Sequence, residues 1–190
     1  GCMAKKQRLY EVRKIENLRD MVRQSADIYG DLDAFLVKNS TTGKQRSISF
    51  RQFQNEINYL GTALCDLGLK DSMVAVLSEN RYEWCLSYLA VVNGTGTVVP
   101  LDKELPEHEI ETLLLRSEAR AVLCSRDYAD LLLQRKTSLP HLEYIICFDY
   151  EKASENYLSF NELVLKGKSL IEQGKNEFIK ALINPEAMNM

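Results

Sequence analysis

The sequence lacks most of the features that mark a specialised class of protein. Its 190 residues contain no run near the roughly 20 apolar residues of a membrane span, so no transmembrane segment is predicted. It carries 24 Lys and Arg against 27 Asp and Glu, a net charge of −3, which excludes nucleic-acid binding through a basic surface. A hydrophobic content of 45% excludes a disordered acidic chain and indicates a globular domain with its own core.

The five cysteines lack the spacing of a metal site or a disulfide framework. Their number is odd and no C-x-x-C pair occurs. Unpaired Cys in an apolar run is usually a small buried hydrophobe. We therefore expect buried thiols at four positions, Cys65, Cys85, Cys124 and Cys147. This usage is typical of a reducing compartment and predicts a cytoplasmic protein.

Candidates for catalytic chemistry are equally few. His108 and His141 are the only histidines, and both lie among polar residues, so a surface position is predicted. Asp31 and Asp33 flank a turn and are predicted to be solvated. No Ser stands in a G-x-S-x-G elbow. Composition and spacing therefore predict no catalytic, cofactor-binding or metal-binding residue.

The first third of the chain carries the signals of two helices and a hairpin. A helix is predicted over 17–29, where a capping residue precedes an apolar stripe and a glycine follows it. Two strand-like segments, 34–38 and 45–49, flank turn-forming residues and predict an antiparallel hairpin. Ser49 and Gln52 form a capping-box pattern ahead of a second apolar stripe, which predicts the second helix.

Four strand-plus-helix units follow. Short, nearly all-apolar segments, typical of strands covered on both faces, have centres about 24 residues apart near Val74, Val98, Val122 and Ile145. Such alternation implies right-handed crossovers between parallel strands. The sequence therefore predicts an α/β fold with a doubly wound, mostly parallel sheet, helices on both faces and an N-terminal β-hairpin.

Ligands of such sheets bind at the carboxyl ends of the strands. The loops there begin at Ser78, Asp102, Ser125 and Asp149, and none of them is a Gly-rich phosphate loop. The stretch 94–96 has two glycines of a dinucleotide fingerprint, but it lies between a helix and a strand, the wrong order for binding pyrophosphate. A dinucleotide enzyme is therefore excluded, and this stretch is interpreted as a helix end and a tight turn.

Two large side chains begin the helix that follows the first parallel strand. Arg81 is predicted to be solvated or ion-paired, because an arginine at a surface helix start usually is. Trp84 lies on the apolar face of the same helix and is predicted to be a core residue.

Several consecutive segments of the chain carry a family resemblance. They are 17–31, 48–53 (Ile-Ser-Phe-Arg-Gln-Phe), 78–84 (Ser-Glu-Asn-Arg-Tyr-Glu-Trp) and 88–101 (Tyr-Leu-Ala-Val-Val-Asn-Gly-Thr-Gly-Thr-Val-Val-Pro-Leu). In order and spacing they resemble the amino-terminal part of AMP-forming acyl-CoA synthetases, in the adenylate-forming superfamily with luciferases and peptide-synthetase adenylation domains. The Asn-Arg-x-Glu-Trp stretch is most similar to long-chain fatty-acid–CoA ligases.

The resemblance implies a reaction for the parent protein. A carboxylic acid and ATP would form an acyl-adenylate and pyrophosphate, with Mg²⁺ near the phosphate charge, and the acyl group would then pass to CoA. Residues 103–106 displace a Pro that usually follows the last of these segments, which is a variation within one loop. The family's phosphate loop and catalytic Lys are absent from these 190 residues. No catalytic role is therefore assigned to any residue, and no cofactor is expected in this chain alone.

These expectations divide the chain in two. Residues 1–16 are interpreted as a cloning scar and a basic tail, and residues 17–190 as the N-terminal subdomain of an adenylate-forming ligase, truncated before the phosphate loop. The fragment alone is predicted to be inactive, and its partners would be the rest of its own chain and the parent's fatty acid. An exposed apolar edge or face is expected where that remainder packs. The alternative is a stand-alone, non-catalytic α/β binding or regulatory module.

Overall fold

The computed structural model describes residues 18–39 and 42–181, and its first elements are those of the predicted hairpin and helices. Helix α1 spans Leu18–Tyr29, strands β1 and β2 span Asp33–Lys38 and Gln45–Ser49, and helix α2 spans Phe50–Asp66. The two strands pair antiparallel, which confirms the hairpin. Asn17, the predicted cap of α1, and two residues of the hairpin turn, Ser40 and Thr41, lie outside the described residues.

The capping box at the start of α2 is confirmed in both of its hydrogen bonds. The backbone N–H of Gln52 donates to Ser49 Oγ at 3.1 Å, and the backbone N–H of Ser49 donates to Gln52 Oε1 at 3.0 Å. These bonds satisfy two backbone groups where the hairpin passes into the helix. The chain therefore changes direction at a fixed point, which places the hairpin against the main domain.

Five parallel strands form the main sheet. They are β3 (Met73–Leu77), β4 (Thr97–Leu101), β5 (Ala121–Cys124), β6 (Tyr144–Cys147) and β7 (Leu158–Ser159), in the spatial order β4-β3-β5-β6-β7. The chain leaves β3 toward one edge and then returns to build the other half beyond β5. The doubly wound parallel sheet is confirmed, and β7, only two residues long, is a strand that the apolar pattern did not predict.

Four more helices connect and flank these strands. They are α3 (Tyr82–Ala90), which ends in a wider π-type turn over Val91–Thr95, α4 (Glu107–Ser117), α5 (Arg126–Arg135) and α6 (Phe160–Glu172). Buried residues of α1, α2, α3 and α6 belong to one apolar cluster, and those of α4 and α5 belong to a second. Helices therefore cover both faces of the sheet, as predicted.

The central strand shows why both faces are covered. Val74 and Val76 of β3 belong to the first cluster, whereas Ala75 and Leu77 belong to the second, and all four are fully buried. Successive side chains of a strand point to opposite faces. A strand with apolar residues at every position therefore needs a helical layer on each side.

Small residues allow the segment after α6 to return to the first face. Phe178 is 1% exposed, and a Cβ at Gly61 or Gly94 would overlap its ring. A Cβ at Gly167 would likewise overlap the backbone of Tyr59, because α6 crosses α2 at close range. The segment after α6 therefore contributes one large core side chain, and the glycines leave the space for it.

The cysteines were expected to be buried, the histidines exposed and Trp84 part of the core. Cys65, Cys124 and Cys147 are buried and Cys85 is half-buried, all as free thiols, while Cys2 lies outside the described residues. Both histidines are exposed, as predicted. Trp84 is half-buried against the first cluster and stacks on Tyr88 with ring centroids 5.4 Å apart.

Exposed apolar side chains occur at separate places. The most exposed are Leu36 on the hairpin at 69%, Leu165 on α6 at 67% and Leu32 before β1 at 62%. That the remainder of a longer chain packs on one of these places stays a prediction. Within residues 18–39 and 42–181, none of the helices combines the length and apolar character needed to cross a bilayer.

Candidate functional site

Arg81 organises the carboxyl end of the sheet. Its Nε lies 2.8 Å from Glu83 Oε2, one terminal nitrogen lies 2.8 Å from Asp149 Oδ1, and the other lies 3.1 Å from Glu79 Oε1. The Arg81 side chain is only 14% exposed, and Glu83 and Asp149 are similarly buried. The predicted ion-paired role of Arg81 is therefore confirmed, with three carboxylate partners.

The surroundings hold the guanidinium in its charged form. Burial by itself lowers the pKa of Arg81, but the hydrogen bonds to Glu83 and Asp149 outweigh burial and raise that pKa above its ordinary value. The guanidinium also lies over the ring of Phe148, with its carbon 5.3 Å from the ring centroid. Arg81 is consequently a fixed positive charge beneath the loops that follow β3 and β6.

Asp149 connects this cluster to a helix start. Its Oδ2 accepts the backbone N–H of Arg126, the first residue of α5, at 2.9 Å. Ser125 occupies the cap position of α5, but its side chain makes no capping hydrogen bond. A carboxylate from the loop after β6 makes that bond instead, at a helix start where the helix dipole favours negative charge.

The start of α3 also lacks a side-chain capping hydrogen bond. Its cap residue is Arg81, whose side chain binds the three carboxylates described above. Ion pairs therefore hold the start of this helix.

A second polar contact ties the hairpin to this end of the sheet. The hydroxyl of Tyr82 donates to Glu56 Oε2 at 3.0 Å, and Arg46 of the hairpin lies 3.3 Å from Glu56 Oε1. Burial and the charge of Glu56 raise the pKa of Tyr82 well above its usual range. The ring of Phe35 packs edge-on against Tyr82 at 5.0 Å between centroids. The hairpin therefore covers the carboxyl end and is held there by apolar and charged contacts.

A cavity of about 360 Å³ lies between the hairpin and the sheet. Hairpin residues that line it include Lys44, Gln45 and Arg46, and the sheet end contributes Arg81, Asp149 and Glu151 among others. The volume is within the range of small-molecule sites. Its lining is largely polar, so the cavity is suited to a polar ligand.

The described part of the chain was compared with the ligand sets that metal ions require. Within residues 18–39 and 42–181, no group of three or more His, Cys, Asp or Glu side chains is arranged to hold a metal ion. Two of the carboxylates that line the cavity, those of Glu83 and Asp149, are bound to Arg81. That this chain has no catalytic, cofactor-binding or metal-binding residue stays a prediction.

The sequence pointed to the loops after the strands but not to the residues that meet there. Arg81 and Asp149 are 68 positions apart, and the hairpin residues of the cavity lie still further from the loop after β6. Only the strand order and the position of the hairpin bring them together. The signal that could have found them is the polar, charged character of residues at the carboxyl ends of neighbouring strands.

Comparison with known proteins gives a family for most of the chain. The family model described as AMP-binding enzyme matches residues 22–183. The matched region contains every element from β1 to α6 and the last eight of the twelve residues of α1.

Individual relatives point in the same direction. Fatty acyl-CoA synthetase B of Dictyostelium discoideum is 28% identical over 169 residues, which cover 82% of this chain and 25% of that protein. Long-chain-fatty-acid–CoA ligase 5 of Rattus norvegicus is 30% identical over 108 residues, covering 54% of this chain and 16% of that protein.

A solved structure agrees with the fold. The anthranilate CoA ligase AuaEII, in complex with anthranoyl-AMP, matches with a TM-score of 0.69 and 27% identity, covering 78% of this chain and 28% of that chain. The present chain spans a quarter or less of the length of fatty acyl-CoA synthetase B and of long-chain-fatty-acid–CoA ligase 5.

Proposed function

Because this chain belongs to the family of AMP-binding enzymes, we propose that residues 17–190 are the N-terminal subdomain of a fatty-acid–CoA ligase. The whole protein would activate a carboxylic acid with ATP as an acyl-adenylate and then form a thioester with CoA. The observation that carries this proposal is the family match over residues 22–183 by a chain that covers 25% of fatty acyl-CoA synthetase B.

The proposed role of this subdomain is structural. Its carboxyl-end loops are held by the Arg81 cluster, and its hairpin is held by Glu56. As the family resemblance implies, the ATP, Mg²⁺ and CoA of the reaction would be bound by residues outside this chain. The described residues offer no cluster of side chains for the metal ion. The cytoplasmic location expected from the free thiols is part of the same proposal.

Fatty acid is the proposed substrate class. The names of the Dictyostelium and rat relatives specify fatty acyl or long-chain fatty acid. Within the stretch that carries the resemblance to fatty-acid ligases, Arg81 and Glu83 belong to the Arg81 cluster, and Trp84 belongs to a half-buried aromatic stack. If the whole enzyme activates a carboxylic acid of another class, the proposed substrate class is wrong, but the assignment of residues 17–190 as a subdomain still holds.

Two measurements test the proposal. We expect the purified 190-residue chain to give background ATP–pyrophosphate exchange with palmitate, because the phosphate-binding and catalytic groups would lie elsewhere. Exchange clearly above the no-enzyme control would contradict the structural role. The coding sequence after residue 190 should continue into a Ser/Thr/Gly-rich loop ending in Lys, whereas a native stop codon there would support the stand-alone module.

A further inference from the structure

The charged residues that line the cavity between the hairpin and the sheet balance one another. Lys44, Arg46 and Arg81 carry positive charge, and Glu83, Asp149 and Glu151 carry negative charge. A ligand with a net charge would therefore meet attraction and repulsion in similar measure. The lining favours a ligand that is neutral overall.

Four of those six charges already have partners. Arg46 pairs with Glu56, and Arg81 pairs with Glu83 and Asp149. Within the described residues, the side chains of Lys44 and Glu151 make no ion pair or hydrogen bond. One of these two belongs to the hairpin and the other to the loop after β6. The cavity thus presents one ammonium and one carboxylate that are available to a ligand.

We propose that this cavity binds a small zwitterion, a molecule with one carboxylate and one ammonium group. The ligand carboxylate pairs with Lys44 and the ligand ammonium pairs with Glu151. The amides of Gln45 and Asn161, which also line the cavity, supply donors and acceptors for the rest of the molecule. The cavity lies at the carboxyl end of a doubly wound sheet, where ligands of such folds bind.

This site is independent of the proposed ligase reaction. Its residues are described in this chain, whereas the nucleotide and metal of that reaction are assigned to residues outside it. Binding of a zwitterion therefore tests the cavity alone, and its failure leaves the proposed ligase function untouched. Because Lys44 and Glu151 are exposed, the affinity is expected to be modest, with dissociation constants roughly in the millimolar range.

The primary experiment is a titration of the ¹⁵N-labelled 190-residue protein followed by amide NMR. Glycine, β-alanine and γ-aminobutyrate are added separately, since they place the two charges at increasing separations. Acetate and methylammonium, at the same ionic strength, carry one charge each. We expect saturable shifts at the amides of residues 42–46 and 148–151 for at least one zwitterion, and at least fivefold weaker binding of the single-charge probes.

Variants assign the two charges. Lys44→Gln and Glu151→Gln should each weaken zwitterion binding about fivefold, because each removes one ion pair. The double variant Lys44→Glu/Glu151→Lys keeps both charges in exchanged positions and should restore most of the affinity with the ligand reversed. Lys38→Gln and Glu155→Gln remove exposed charges that do not line the cavity and serve as matched controls.

Each alternative outcome overturns the proposal. If acetate binds as tightly as the best zwitterion, the cavity is an anion site. If no probe gives saturable shifts up to about 100 mM, it is not a zwitterion site. If Lys44→Gln and Glu151→Gln bind as the wild type does, the assignment of the two charges is wrong. Unchanged spectra away from the cavity show that each variant is folded.

Discussion

At each end of the parallel sheet, the side chain of one arginine connects neighbouring segments of the chain. The partners of these two arginines differ. At the carboxyl end, Arg81 binds three carboxylates and is 14% exposed. At the amino end, Arg120 binds the carboxylate of Glu143, but it also donates to the carbonyl of Gly68 at 2.8 Å and to the hydroxyl of Ser72 at 2.7 Å. The Arg120 side chain is 36% exposed.

Two tyrosines, one at each end of the sheet, also differ in whether their hydrogen-bond acceptor is charged. Tyr82, at the carboxyl end, donates to a carboxylate of Glu56 at 3.0 Å, whereas Tyr144, at the amino end, donates to the backbone carbonyl of Leu67 at 3.4 Å. At the amino end neutral acceptors add to the exposed ion pair between Arg120 and Glu143, so its geometry depends less on charge. The carboxyl end depends on ionised groups, and it is also the end that borders the cavity. Charge is therefore concentrated where ligands of such sheets bind.

Removing the guanidinium at the carboxyl end should have the largest effect. Arg81→Met leaves the buried carboxylates of Glu83 and Asp149 without their cation, and we expect the free energy of unfolding to fall by about 3 kcal/mol. Urea unfolding at pH 7 followed by circular dichroism measures this change. Arg81→Lys keeps the charge but not the three-sided geometry and should lose less.

A double-mutant cycle identifies the cause. In a Glu83→Gln/Asp149→Asn background the negative charges that Arg81 neutralises are absent, so the deficit of Arg81→Met relative to its parent should shrink. A deficit that stays constant in that background would mean that lost packing on Phe148, rather than uncompensated charge, destabilises the variant.

The corresponding change at the amino end should cost less. Arg120→Met removes two hydrogen bonds to neutral acceptors and one exposed ion pair, and water can reach the exposed carbonyl of Gly68. We expect a loss of about 1 to 1.5 kcal/mol. A loss as large as that of Arg81→Met in the same urea series would contradict the distinction between the two ends.

Local patterns in the sequence predicted most of the fold but only part of the site. The capping box of Ser49 and Gln52 and the all-apolar run of β3 depend only on residues close together in the sequence, so both could be predicted from it. The hydrogen bond at the start of α5 could not be predicted in this way, because Asp149 makes it from the loop after β6. Strand β7 was not predicted, because a strand of two residues is too short to show a hydrophobic pattern. The cavity depends on where the hairpin lies against the sheet, which no single segment encodes.

The smallest predicted effect is a difference in stability at high pH between the variants that lack the hydroxyl of Tyr82 or of Tyr144. The pKa of Tyr82 is raised in the folded protein by burial and by Glu56, so folding favours the protonated phenol. The resulting stability is fully present below the unfolded pKa of about 10 and is lost as pH rises above it, by up to about 1.4 kcal/mol per pH unit.

Tyr82→Phe should therefore cost about 1 kcal/mol at pH 7 through the lost hydrogen bond, yet become the more stable protein above about pH 11. Tyr144→Phe is the matched control, because it removes the longer hydrogen bond to Leu67 and keeps Tyr82 and its alkaline loss. Urea unfolding from pH 8 to pH 11.5 gives the three curves. If the Tyr82→Phe curve falls in parallel with the other two, with no crossing, Glu56 and burial do not hold the Tyr82 proton, and the carboxyl end is no more dependent on ionisation than the amino end.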